Sequence, residues 1–266
     1  MEVEYMIKQY DLNNEIKFFA KSEIRLKILS ELQKEPKSVK ELVNKTNITY
    51  SSISSNLVKL EERDYITKKK NKYHINTLSE IYYNQLMEFK NSVDLINNFD
   101  EFWNKHNINQ LSINSMQNIN DLKNSELVET TPLDIYRTHN TIKENILQSN
   151  TIKAIFPYLH PDYPQLIENI IEKNGNVEII IPKNMFNGIL SEIDKGKRKA
   201  AVKNGNLKVH TTTNELNVYL IICDETMSLG LFKSDGSFDQ NRLLTSSCEK
   251  SQKWANDLFN FIKDEV

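Results

Sequence analysis

Glycine is scarce in this chain, at six of 266 residues, and cysteine scarcer, with Cys223 and Cys248 alone. Two cysteines cannot build a disulfide scaffold, so a packed thiol is the plain expectation for each. No cysteine and histidine cluster has zinc-ligand spacing, and no metal is expected. There is no glycine-rich phosphate loop and no nucleophile elbow. The five histidines, His74, His106, His139, His160 and His210, are isolated, and none opens a His-x-Lys pair of the phospholipase type. No catalytic residue and no cofactor are expected, and the chain does not read as an enzyme. It also lacks an apolar run long enough to cross a bilayer, and no secretory signal is recognisable. These absences place it in the cytoplasm, with no membrane partner.

Charge is present but unevenly placed. The net charge of −2 conceals a basic first part: residues 1–76 carry 15 Lys/Arg and 11 Asp/Glu, while residues 77–266 carry 19 and 25. Lys37 to Asn76 concentrate nine basic side chains against four acidic ones, a local net of +5. A basic module joined to an acidic one suits a nucleic-acid reader attached to a second task.

That basic stretch reads as a winged helix-turn-helix. Ser22 caps a helix with Ile24, Ile28, Leu29 and Leu32 as its core stripe, and Pro36 ends the connection. Ser38 followed by Glu41 is a capping box, opening a helix with Val39, Leu42 and Val43 on its apolar side. Thr46-Asn47-Ile48 breaks it, and Thr49 caps a second helix to about Arg63. There Ile53, Leu57 and Leu60 face inward. The other face carries Ser51, Ser55 and Val58, flanked by Ser52, Ser54 and Lys59, small enough to let a helix press into a DNA groove. Tyr65 to Thr67 and Tyr73 to Ile75 read as two strands around the tip Lys68, Lys69, Lys70, Asn71 and Lys72. A lysine-rich hairpin after a recognition helix is what a DNA-binding wing needs. The expected contacts to double-stranded DNA are Thr49, Ser51, Ser52, Ser54, Ser55, Lys59, Lys68, Lys69, Lys70, Asn71 and Lys72. The bland alternative is a small helical subdomain with a solvated basic turn.

Three regions are expected: a DNA-binding domain at 1–76, a linker and dimerisation helix at 77–107, and an α/β sensor domain at 108–266. One helix should run from Thr77 to Trp103. Tyr82, Leu86, Phe89, Val93 and Ile96 recur on it at heptad spacing, a stripe that needs a partner: the C-terminal domain, or the same helix of a second chain in a homodimer. The second chain is favoured, because winged helices usually read two half-sites. Residues 108–134 give little signal and read as a short strand or helix followed by connecting chain. Beyond them helices at 133–149, 163–173, 184–193 and 249–263 alternate with strands at 152–156, 177–181, 207–210, 218–222 and 228–232. Apolar strands between helices imply a sheet covered by helices on both faces.

His160-Pro161-Asp162-Tyr163-Pro164 follows a strand, at the edge where open α/β sheets hold ligands. It reads as a pocket wall, or as a turn that Asp162 caps and the prolines stiffen. Beyond the turn at Ser234-Asp235-Gly236, Asp239 and Arg242 are placed to pair. Arg137, His139, His160, Tyr163 and Arg242 are the expected ligand-binding residues, suited to an anionic or hydroxylated small effector.

Several motifs resemble the archaeal methanogenesis-regulator family, in which an ArsR-like winged helix precedes a family-specific C-terminal domain. They are Phe102-Trp103, Ser125-Glu126-Leu127 with Thr131-Pro132, the helix of Arg137 and His139, and His160 to Pro164. Ser228-Leu229-Gly230-Leu231-Phe232 and Asp235-Gly236 with Asp239 complete the set. Where that family often carries an acid, this chain has Arg242. The resemblance implies an archaeal, methanogen-type transcription regulator whose C-terminal domain is a sensor. Two other readings stay open: a ligand-free architectural DNA-binding protein, and an α/β enzyme domain tethered to DNA.

Overall fold

The computed structural model describes residues 14–109 and 111–266. The sequence also predicts a short helix within the first twenty residues, including Tyr10-Asp11-Leu12 and Ile16 to Phe19, and the part of it around Tyr10-Asp11-Leu12 lies outside the described residues. The chain separates into two compact units, Met1–Lys90 and Asn91–Val266.

The first unit is a winged helix-turn-helix. Helices α1 (Asn14–Ala20), α2 (Glu23–Lys34), α3 (Val39–Thr46) and α4 (Tyr50–Glu61) precede a hairpin of β1 (Ile66–Lys69) and β2 (Lys72–Ile75). The caps fall where the sequence places them. Ser38 and Glu41 complete the capping box, and the Thr49 hydroxyl accepts from the Ser52 amide. Asn47 ends α3 in the left-handed region at φ 56°, which asparagine tolerates better than most residues. Ile28, Leu29, Leu32, Leu42, Ile53, Leu57 and Leu60 share one buried core with Phe19, Tyr65 and Tyr73. Lys69 pairs with Lys72 across the hairpin, and Lys70 and Asn71 between them both have positive φ, 46° and 66°. Positive φ at both central residues matches the right-handed twist of the flanking strands. The fold therefore pushes Lys70 and Asn71 out at the tip.

Helix α5 covers Thr77–Asn98, shorter than the single helix expected to Trp103. The chain breaks at Phe99 and restarts as α6 (Asp100–Asn104), which buries Phe102 and Trp103. Residues 108–134 hold more order than their polar composition suggests. Helix α7 (Ile113–Gln117), a 3-10 turn (Ile119–Leu122) and strand β3 (Glu126–Glu129) lie there. Helix α8 (Arg137–Gln148) starts four residues later than expected, because Thr131 and Asp134 close a bridged turn after Pro132.

The sheet contains β3, β4 (Thr151–Ile155), β5 (Asn176–Pro182), β6 (Leu207–Thr212), β7 (Val218–Ile222), β8 (Met227–Leu231) and β9 (Arg242–Ser246). Its order is β3-β9-β8-β7-β4-β5-β6. β4, β5 and β6 are parallel, and the remaining pairings are antiparallel. Helices α9 (Tyr163–Glu172), α10 (Phe186–Leu190) and α11 (Lys195–Asn204) connect the parallel strands, and α12 (Glu249–Asp264) closes the chain. Strand residues alternate between two cores, as a period of two requires. Ile152, Ala154, Val177, Ile179, Ile181, Tyr219 and Ile221 face α8 to α11. Ile155, Ile180, Leu220, Ile222 and Leu229 face α6 and α12. Both faces are covered, as the apolar strands imply.

The expected helix at 184–193 is a 3-10 turn running into α10, and α11 was not foreseen. Gly230 is in the sheet for want of a Cβ: one there would stand 2.9 Å from the Phe238 ring.

Candidate functional site

The exposed face of α4, expected from the sequence to meet DNA, is built by two local devices, the Thr49 cap and the inward stripe of Ile53, Leu57 and Leu60. Rotation by 100° per residue then leaves Ser51, Ser55, Val58 and Lys59 exposed and Ser52 and Ser54 half-buried. Thr49 is committed to the cap, its hydroxyl 2.9 Å from that of Ser52 and 3.4 Å from that of Ser51. Tyr50, at the first position of α4, is 64% exposed. Sequence reasoning passed over it, although a large aromatic residue directly after the Thr49 cap is a signal in itself.

On the wing, Lys68, Lys69, Lys70 and Asn71 are exposed. Lys68 leans over the Tyr73 ring at 5.4 Å. Lys72 differs from its neighbours, since its ammonium lies 3.5 Å from Glu41. Glu41 in turn accepts from the Ser38 amide and hydroxyl, both at 2.7 Å, and these bonds hold its carboxyl down at about 2. The wing thus offers exposed ammonium groups at Lys68, Lys69 and Lys70, the first of them over the Tyr73 ring, and a fourth at Lys72 paired with Glu41 in the first turn of α3.

The heptad stripe divides. Tyr82 meets Phe19 and Tyr65 at 5.9 and 6.3 Å, and Leu86 is half-buried against the same core. Phe89 stands 68% exposed, with Val93 and Ile96 at 37% each. Ile16, Phe19, Tyr82, Leu86 and Phe89 line an apolar cleft of about 570 Å³.

The five expected ligand-binding residues are brought together only in part: the His160 ring lies 3.8 Å from that of His139 and 5.4 Å from that of Tyr163, while Arg137 and Arg242 make none of these contacts. Tyr163 is buried: its ring stacks on Phe156 at 4.2 Å and its hydroxyl bonds that of Tyr158 at 3.3 Å. Burial pushes its phenol far above the ordinary range. Arg242 is fully engaged, with Glu129 at 2.8 Å, Asp239 at 3.5 Å and Glu101 as a third acid. Its expected pairing with Asp239 is present, and the two further acids were not readable from sequence. Asp239 also holds His106 in a buried pair at 3.0 Å, whose other ring nitrogen lies 2.6 Å from the Phe102 carbonyl. Arg137 is exposed at the start of α8. None of the five residues lines the apolar cleft beside Ile16 and Phe89 or the cleft lined by Pro157 and Asn214.

His139 and His160 do meet. Their rings stack with centroids 3.8 Å apart. His139 Nε2 lies 3.1 Å from Asp162 Oδ2, and the Lys143 ammonium donates to the same oxygen at 2.8 Å. The Asp162 amide donates to His160 Nδ1 at 3.2 Å. Lys143 first, then His139, draw the Asp162 carboxyl down to about 2, while burial and the neighbouring His139 lower His160. Asp162 occupies the cap position of α9 without a capping bond from its side chain. Its carboxylate sits between the Lys143 ammonium and the His139 ring, where an anionic ligand was expected. Lys143 and Asp162 were missed as partners because only the fold makes them neighbours of His139.

At the carboxyl ends of β4, β5 and β6, a cleft of about 600 Å³ is lined by Pro157, Pro182, Lys183, Thr212 and Asn214 among others. This is the edge at which open α/β sheets hold ligands. No helix among the described residues is long and apolar enough to cross a membrane.

Comparison with known proteins assigns relatives to both parts. Residues 135–265 match the family model of the middle domain of the methanogenesis regulatory protein FilR1, and residues 13–98 match that of the HVO_A0261 N-terminal domain. The methanogenesis regulatory protein FilR1 of Methanothrix harundinacea (strain 6Ac) is 21% identical over 254 residues. That match takes in 94% of this chain and 57% of the relative, so the chain spans little more than half of that protein's length. Among solved structures, TrmBL2, an archaeal chromatin protein reported to show a novel mode of DNA binding, covers 92% of this chain and 93% of its own. Its sequence identity is 12% and its TM-score 0.42. The chain is therefore similar, over nearly its whole length, to a methanogen regulator.

Proposed function

We propose that this chain, a relative of methanogenesis regulators, is a DNA-binding transcription regulator that works as a homodimer and responds to a small molecule. Within that reading the first unit is an ArsR-like winged helix. It inserts α4 into the major groove of double-stranded DNA and lays the wing along the phosphates. The observation that carries the reading is the pairing of a small, hydroxylated helix face with three exposed lysines, Lys68, Lys69 and Lys70, one hairpin away. Neither feature alone is specific; together they match the contact types a duplex demands, base edges for the helix and phosphates for the wing.

The dimer stripe supports the second element. Phe89, Val93 and Ile96 are exposed apolar side chains at heptad spacing on α5, and a second α5 would cover them. The strand-edge cleft supports the third. Its lysine, threonine and asparagine side chains, with Glu215 beside them, suit a hydroxylated metabolite better than an apolar one. The reading assigns the chain no reaction.

The test is binding of the full chain to fluorescent duplex DNA, with operators selected from random sequence. The parent should bind, and Ser55→Glu should lose binding to every duplex, because it sets a carboxylate against the phosphates at the centre of the α4 face. A Ser55→Glu protein with the parent's circular dichroism and the parent's affinity would overturn the reading.

A further inference from the structure

We propose that His139, His160 and Asp162 form a binding site for a divalent transition-metal ion. The proposal goes beyond the DNA-binding reading and stands independently of it.

The three residues come from two elements. His139 lies on α8, and His160 and Asp162 lie on the loop between β4 and α9. Each offers one donor atom, and these atoms all lie within 4.8 Å of one another. Two ligands of one tetrahedral ion stand roughly 3.4 Å apart when bonds to nitrogen and oxygen are about 2.0–2.2 Å. His139 Nε2 and Asp162 Oδ2, at 3.1 Å, already meet that spacing. The two imidazoles are stacked at 3.8 Å, so closing on an ion requires them to turn out of the stack until their lone pairs converge. Two imidazoles and one carboxylate are a donor set for zinc, cobalt, nickel or iron; calcium and magnesium prefer oxygen alone. The three side chains are all half-buried, so the remaining coordination positions open to water.

Lys143 is the competitor. Its ammonium neutralises Asp162 at 2.8 Å, and it is 44% exposed on a flexible stem. An incoming dication replaces one charge with two at the same carboxylate, and the lysine has solvent to swing into. An anion is the poorer occupant, because the Asp162 carboxylate already takes the hydrogen bonds of both His139 and Lys143.

The experiment uses the full chain, stripped with EDTA, exchanged into chelator-free buffer and titrated with Co²⁺ and then Zn²⁺. One equivalent of Co²⁺ should produce visible d–d absorption that one equivalent of Zn²⁺ removes. His139→Ala and His160→Ala should each weaken binding by about tenfold or more, at least the cost usual for a lost supporting contact. Lys143→Met should tighten it, because the competing charge is gone. Binding that is unchanged in both histidine variants, or weakened by Lys143→Met, would overturn the proposal. Should an alanine variant fold poorly, the parent decides alone: no Co²⁺ bands at one equivalent overturns the site. Metal binding without DNA binding would refute the regulator reading and leave this one intact.

Discussion

The wing lysines give the sharpest measurable consequence of the structure. Lys68, Lys69 and Lys70 are exposed on a hairpin whose tip the backbone pushes outward, while Lys72 shares its charge with Glu41 at 3.5 Å. A dimer making about eight phosphate contacts releases counterions with a log–log salt slope near −7 on duplex DNA. Replacing Lys68, Lys69 and Lys70 with alanine removes up to six of these contacts per dimer, which flattens the slope to about −2. Lys72→Ala alone should shift the slope much less than any of the other three, because a lysine held by a carboxylate releases fewer counterions. Alanine at position 70 adds no new backbone strain, since the lysine it replaces already adopts a positive φ. Fluorescence anisotropy against a labelled duplex between 50 and 200 mM salt reads both quantities. A triple variant that keeps the parent's slope and affinity would show that the wing does not touch DNA, and the orientation assigned to α4 would fall with it.

Two further outcomes follow from other parts of the molecule. Phe89→Asp with Val93→Asp should give monomers in sedimentation equilibrium with an unchanged fold, since both side chains are exposed in the single chain while each carboxylate buried in a dimer would cost several kcal/mol; a persistent dimer would move the interface elsewhere. His106→Leu should destabilise the C-terminal unit by roughly 1–3 kcal/mol, the cost of removing a partner from buried hydrogen-bonding groups. Arg242 at 3.5 Å and Lys233 at 4.0 Å still face Asp239, and an unchanged urea midpoint would refute the role given to the pair.

Much of the N-terminal unit was legible in its sequence. The Ser38–Glu41 box, the Thr49 cap, the inward stripe of α4 and the lysine-rich tip depend on residues within about four positions of one another. Over that span backbone geometry alone decides who meets whom. The strands β4, β5, β7 and β8 were legible for the same reason, each being a short apolar run bounded by polar or turn residues. β3 and β9 were not, because Glu126–Glu129 and Arg242–Ser246 alternate in polarity weakly and become strands by pairing with each other across more than a hundred residues.

The candidate sites divide along the same line. Composition and spacing determined a basic hairpin beside a hydroxylated helix, an apolar stripe at heptad spacing, and a loop carrying His160 and Asp162. Only the tertiary structure decided that Tyr163 turns inward onto Phe156, that Arg242 is claimed by three acids, and that His139 stacks on His160 with Lys143 and Asp162 alongside. A side chain's local neighbours are set by a repeat of 3.6 or 2 residues, and sequence displays that repeat. Its partners across the fold are set by how α8 is laid against the loop after β4, a placement fixed by buried apolar faces that no spacing between the polar residues records.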